Sequence, residues 1–260
     1  MGGVLDNLPL QQIIDPFVEQ CGGELVGRLI SGPNLPSNAD YLFSRHGVVA
    51  ELKALEGDEF AEVIGRKFSA LLTKWYREGR FIAFGTVGID TNKLAPDLRE
   101  ELFDALAEPL QTRLVVAANK QIKSTKKLLN LPGAKGLLWV ASDGNEDLQP
   151  DLLWYLLTRI LRKKKSNGQP AYSGINGLAY FNPRMPARIP QAPEPTLFWF
   201  SGPRDQSDSQ FKAFLSELYD RWFPYIASVA KISIRLVDGT PEQTRFMGVA
   251  ERRYRIQMDV

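Results

Sequence analysis

Within the stretch SNADYLFSRHGVVAELKALEG, Ser37 to Gly57, three ionisable residues carry a possible chemistry: Asp40, Glu51 and Lys53. Asp40 precedes one short apolar run, and Glu51 and Lys53 interrupt the next. The runs flank Ser-Arg-His-Gly and read as a β-hairpin. Alternate side chains of a strand share a face, so Val49, Glu51 and Lys53 fall on one side and Val48, Ala50, Leu52 and Ala54 on the other. The second side is core, while the first begins apolar and turns ionic, as a strand does where it leaves a core for a cleft. An even-numbered loop centred on Arg45-His46 makes paired residue numbers sum to 91 and sets Asp40 opposite Glu51. Their β-carbons would lie about 5 Å apart, and two carboxylates that close destabilise a sheet by up to about 1 kcal/mol. A divalent cation between them would remove the conflict. The alternative is a three-residue turn with Gly47 left-handed, which slips the pairing by one and sends the carboxylates to opposite faces unless a bulge restores them.

This arrangement resembles the PD-(D/E)xK, or restriction-endonuclease-like, nuclease superfamily, whose signature is an aspartate at the start of one strand and an acidic-x-lysine triplet in the adjacent strand. Ala39-Asp40 stands for the first element, with alanine in place of the usual proline, and Glu51-Leu52-Lys53 for the second. It is the only acidic-x-lysine triplet in the chain. The resemblance implies that Asp40 and Glu51 hold Mg²⁺, with Mn²⁺ as a substitute, since hard cations favour carboxylate oxygen. Lys53 would orient or help deprotonate the attacking water and neutralise charge developing on the phosphate. Some members add an acidic residue from the first helix, for which Glu19 is the better match by position and Glu24 the weaker. A basic or glutamine residue on the following helix is also typical; Lys67 is the nearest candidate. The implied activity is Mg²⁺-dependent hydrolysis of DNA, and the habits of the family suggest a homodimer.

The elements that must position these residues form an alternating series. Leu10, Ile13, Ile14, Phe17 and Val18 predict a helix from Leu8 to Cys21, ended by Gly22-Gly23. ELVGRLI reads as a short strand before the hairpin. Asp58 can cap a helix to about Arg77, RFIAFGTVGI reads as a strand, and Pro96 suits the first position of another helix. Leu110 to Leu129 fits a helix, GLLWVAS a buried strand, and Pro150 opens a helix that ends in Arg162–Lys165. INGLAYF and TLFWFSG are two further strands, followed by a helix from about Ser207 to Trp222. The expectation is an α/β fold: a central mixed β-sheet flanked by helices, one domain over residues 1–260, with a restriction-endonuclease-like core over about 8–165 and a C-terminal α/β extension over about 170–260.

Composition is that of a folded protein, with 260 residues, 44% hydrophobic and 24% charged. A lone cysteine, Cys21, excludes an intramolecular disulfide and a cysteine-clustered zinc site. With no basic, apolar leader and no long uncharged run, a cytoplasmic protein without a membrane span is expected. The net charge of +2 hides an asymmetry: residues 1–108 hold 10 Lys+Arg against 17 Asp+Glu, and residues 109–204 hold 14 against 5. In the basic segment, NKQIKSTKK sets Lys120, Lys123 and Lys127 near one helical face with Lys126 beside them, a candidate contact to DNA phosphates. The only histidine, His46, sits at the presumed turn tip, so a Ser/His/Asp triad is disfavoured. The turn DGNED lacks the glycine and glutamate of a calcium loop. The aromatic-rich strands around Tyr180, Phe198, Trp199 and Phe200 read as core rather than base-stacking platforms. The alternative to a nuclease is a non-catalytic nucleic-acid-binding or protein-interaction module with the same fold.

Overall fold

Lys135–Asp143 is buried at seven successive positions, 136–142, where only Ser142 and the Trp139 indole bring polar side-chain atoms, which suits a strand covered on both faces. In the computed structural model it is β4, one of the two central strands of a six-stranded mixed sheet. The structure describes residues 8–30, 36–56, 59–82, 93–143, 149–183, 187–188, 197–231, 236, 240–241 and 245–246. Strands β1 (Glu24–Leu25), β2 (Tyr41–Phe43) and β3 (Val48–Glu56) form an antiparallel meander. Strand β3 pairs in parallel with β4, and β4 with β5 (Gly177–Phe181). The sheet ends on β7 (Trp199–Pro203), antiparallel to β5. A separate ribbon joins β6 (Ala187–Arg188) to β8 (Arg245–Phe246). The α/β class and the mixed sheet read from the sequence are therefore present, and two strands from beyond residue 170 complete that sheet.

Parallel neighbours need crossovers, and helices supply them. Between β3 and β4 run α3 (Glu59–Arg77), α4 (Pro96–Leu110) and α5 (Val116–Leu128); between β4 and β5 runs α6 (Pro150–Arg162). Their apolar faces cover one side of the sheet, meeting Val49, Leu55, Leu138, Val140, Leu178 and Tyr180. The other side is covered by α1 (Leu10–Gln20) and α7 (Ser209–Ala230). There Trp139 contacts the rings of Phe17, Tyr41, Phe43, Phe181 and Trp199. Tyr180, Phe198 and Trp199 are thus buried packing residues.

Three elements differ from the sequence reading. ELVGRLI is a strand only at Glu24–Leu25; Val26 donates its N–H to the Asp40 carbonyl at 2.8 Å, and the chain turns into the single helical turn α2 (Val26–Leu29). RFIAFGTVGI is non-strand at Arg80–Ile82, and its remainder lies outside the described residues, as do Asp58 and the DGNED turn from Gly144 on. Helix α7 continues through Pro224 to Ala230, its start capped by the Asp208 carboxylate on the Phe211 N–H. Helices α4 and α5 are one continuous rod joined by a π-helical turn, Gln111–Val115. Pro109, without an N–H, weakens the ladder just before that turn. No helix among the described residues is long and apolar enough to cross a membrane.

Candidate active site

The hairpin has the register that makes residue numbers sum to 91: Tyr41 pairs with Ala50, Leu42 with Val49 and Phe43 with Val48. Its four-residue loop, Ser44–Gly47, is a 3-10 turn closed by Gly47 at φ 60°, so the left-handed glycine and the even register coexist. Extending the pairing by one residue sets Asp40 against Glu51. One Asp40 oxygen accepts the Leu52 N–H at 2.8 Å, which fixes the carboxylate over the strand. The Glu51 side chain is buried, 1% exposed, and Lys53 Nζ lies 2.5 Å from its Oε1. The other oxygen, Glu51 Oε2, is buried and finds no donor among the described residues, so the hydrogen bond between the Glu51 and Asp40 carboxyls needs a shared proton. An unpartnered buried carboxylate oxygen is an expensive group to keep in a core.

The ionic face does not open outward as the alternation suggested. Beyond Lys53 the same face returns to core at Leu55, and α5 lies over it. That helix brings a residue the sequence did not offer: Gln121 Oε1 accepts a hydrogen bond from Lys53 Nζ at 2.9 Å, and its Nε2 donates to the Asn38 carbonyl at 3.1 Å. Thr125, one turn further, accepts the Ala39 N–H at 2.8 Å. Helix α5 therefore pins both the chain entering Asp40 and the amine of Lys53. Lys67 instead forms an exposed ion pair with Glu108 at 3.2 Å.

Burial raises Glu51 above the usual carboxylate range, the nearby Asp40 charge adds to the rise, and Lys53 opposes it; the net is about 8. Burial also raises Asp40, against the Leu52 N–H, Lys53 and Glu51. Asp40 is nevertheless open to solvent as a residue, and water damps its shift, so the retained proton belongs to Glu51. On the far face of the sheet the Tyr41 hydroxyl donates to Asp15 Oδ1 at 2.8 Å, and the Asp15 charge also raises Asp40. Asp15, not Glu19, is the α1 acid whose charge reaches Asp40. Glu19 is at the surface, engaged by Arg28 at 2.5 Å, and Glu24 accepts from the Ser44 hydroxyl at 2.7 Å. The period of a helix puts positions 15 and 19 on one side; only the docking of α1 against Tyr41 chooses between them.

Among the described residues no group of three or more His, Cys, Asp or Glu side chains gathers to hold a metal. Two carboxylates suffice for a cation that keeps most of its water, as Mg²⁺ does. A Glu51 Oε2 that finds no donor among the described residues, and a Glu51 proton held up to about 8 that a cation would displace, fit such a group. The predicted DNA contacts lie apart from this pair: Lys120, Lys123 and Lys127 are exposed on α5, and Lys126 turns inward to donate to the Gly174 carbonyl at 3.0 Å. Comparison of the chain with protein-family models, curated proteins and solved structures returns no match.

Proposed function

We propose that the chain is a metal-dependent nuclease of the PD-(D/E)xK type, hydrolysing DNA phosphodiester bonds at Asp40, Glu51 and Lys53. The observation that supports this most is the hairpin register, which sets two carboxylates together at a cost to the sheet and leaves Glu51 Oε2 buried with no donor among the described residues. The surrounding order also favours it, with a helix before the hairpin, α3 directly after the triplet and β4 beyond. Asp40 and Glu51 would hold Mg²⁺ or Mn²⁺, which when bound lowers the pKa of a coordinated water and polarises the phosphate. Lys53 would place a cation beside the reacting phosphate, and Gln121 orients it. Leu52, through its N–H, keeps Asp40 facing Glu51.

The test is cleavage of linear, circular and single-stranded DNA in Mg²⁺, Mn²⁺ or EDTA by the native chain, Glu51→Gln and Lys53→Ala. Metal-dependent cleavage that falls at least about a hundredfold in both variants is expected. The close pairing of Glu51 with Lys53 favours a second reading, a non-catalytic module in which the two simply neutralise each other. No cleavage by the native chain, with equal DNA binding by all three, would select it.

A further inference from the structure

We propose that the Tyr172–Asn176 loop and the flank of α5 facing it form a phosphate-binding station for the nucleic-acid backbone, separate from the carboxylate pair, so that bound substrate lies across α5. The inference rests on the reading of the chain as a protein that acts on nucleic acid, and adds where that polymer is held.

Four cations converge on this loop from three parts of the chain. Lys126 Nζ donates to the Gly174 carbonyl at 3.0 Å, and Arg204 donates to the Tyr172 carbonyl at 3.0 Å. A β-carbon on Gly174 would sit 3.0 Å from Lys123 Cγ, so Lys123 also packs against the loop. Lys135 begins β4 beside Gly136, whose N–H donates to Asn176 Oδ1 at 2.8 Å. Gly136 is required there, since a β-carbon would collide with the Gly174 carbonyl oxygen. The loop is held rigidly: the Asn176 carbonyl accepts the Arg204 N–H at 2.7 Å, and Asn119 Oδ1 accepts the Gly174 N–H at 2.9 Å.

The charge in this cluster is poorly compensated. Lys135 pairs with Asp208 at 2.7 Å, but among the described residues no carboxylate pairs with Lys123, Lys126 or Arg204. Burial, followed by the charges of Lys135, Lys123 and Arg204, pushes Lys126 down to about 8. A phosphate would relieve that crowding, and a polyanion carries many at close spacing.

The station and the carboxylate pair occupy opposite flanks of one helix. Gln121 and Thr125 face the hairpin, while Asn119, Lys123 and Lys126 face the loop. The outer surface between them carries the exposed Lys120 and Lys127. A helix with its side chains is about 10–12 Å across, so a strand touching both flanks covers about three base-pair steps. A small phosphodiester does not reach.

The experiment measures fluorescence anisotropy of a labelled duplex of about 20 base pairs in EDTA over a salt series, using the native chain, Lys123→Glu, Arg204→Gln and, as control, Arg77→Glu on α3. Lys123→Glu, on an exposed side chain that does not threaten folding, should weaken binding at least about tenfold and lower the logarithmic salt slope by about 0.9 for each phosphate no longer neutralised. Arg204→Gln should act in the same direction, and Arg77→Glu should leave affinity within about twofold of native. Unchanged affinity and slope in Lys123→Glu and Arg204→Gln would overturn the station, as would equal weakening by Arg77→Glu, which would reduce the effect to net charge. Hydrolysis of bis(p-nitrophenyl) phosphate with Mn²⁺ separates this from the nuclease reading. Loss there in Glu51→Gln but not in Lys123→Glu supports both; no hydrolysis by the native chain, with the binding losses intact, removes the nuclease and leaves the station.

Discussion

Glu51 and Glu101 are the same side chain in two opposite settings. Glu101, on α4, accepts from Lys74 Nζ at 2.8 Å, Arg80 at 2.7 Å and the Trp75 indole N–H at 3.1 Å. Led by Lys74 and then Arg80 and Trp75, these donors hold it down at about 2. Glu51 has one cation, a second carboxylate and little access to solvent, and is driven up to about 8. The first arrangement is complete and ties α3 to α4. The second is incomplete, and an incomplete buried site is where a ligand has something to add.

Breaking that contrast at Lys53 should have the largest effect. Lys53→Met leaves the buried Glu51 without its cation and should destabilise the metal-free protein by about 3 kcal/mol above pH 8. Adding Glu51→Gln to Lys53→Met should restore most of this loss, as read by urea unfolding in EDTA. Glu51→Gln alone should be stabilising, with a pH signature. The folded state keeps a proton on Glu51 that the unfolded chain releases near 4.5, so native stability falls as pH rises from 4.5 through about 8. The variant lacks that slope, and its melting temperature should exceed the native value by several degrees at pH 8 and match it at pH 4.

Glu101→Gln tests the opposite sign. Its contribution is fully present above 4.5 and disappears as pH falls towards 2. Calorimetry should find the variant less stable at neutral pH, by a few degrees, and indistinguishable from native at pH 2. The smallest effect is expected from Gln121→Leu, which removes one acceptor from Lys53 Nζ at about 1 kcal/mol of stability. The same change should lower DNA hydrolysis about tenfold if Gln121 orients the lysine.

How much of this was legible in the sequence depends on distance along the chain. The hairpin is local, so strand alternation narrowed it to two registers, one of which places Asp40 opposite Glu51; the choice between them stayed open, because a left-handed Gly47 suggested the three-residue turn and in fact closes a four-residue one. Gln121 was not legible, because α3 and α4 intervene and the residue-type expectation pointed to α3 and Lys67. The choice between Asp15 and Glu19 needed the docking of α1, which spacing does not contain. Helices α1, α4 and α6 were readable because apolar periodicity marks the first and Pro96 and Pro150 mark the starts of the other two. Helix α7 outran its expected end because a proline at position 224, with its ring exposed, is tolerated by a helix whose other face is buried on the sheet. Strands β5 and β7 were found as segments, while the short β6 and β8 were not, and the places of β5 and β7 in the sheet are set by tertiary pairing.

The π-helical turn has a consequence for how this chain tolerates changes in length. Each residue of an α-helix advances the side chains by about 100°, so losing one residue within Gln111–Val115 would rotate everything downstream relative to α4. Ala118, Ile122 and Thr125 would leave the sheet, Gln121 would swing away from Lys53, and the cations on the other flank would leave the loop they pack against. A half-exposed stretch of five residues that includes none of Asp40, Glu51 and Lys53 is thus less forgiving of a deletion than most surface segments, because it sets the phase of the helix on which both flanks depend.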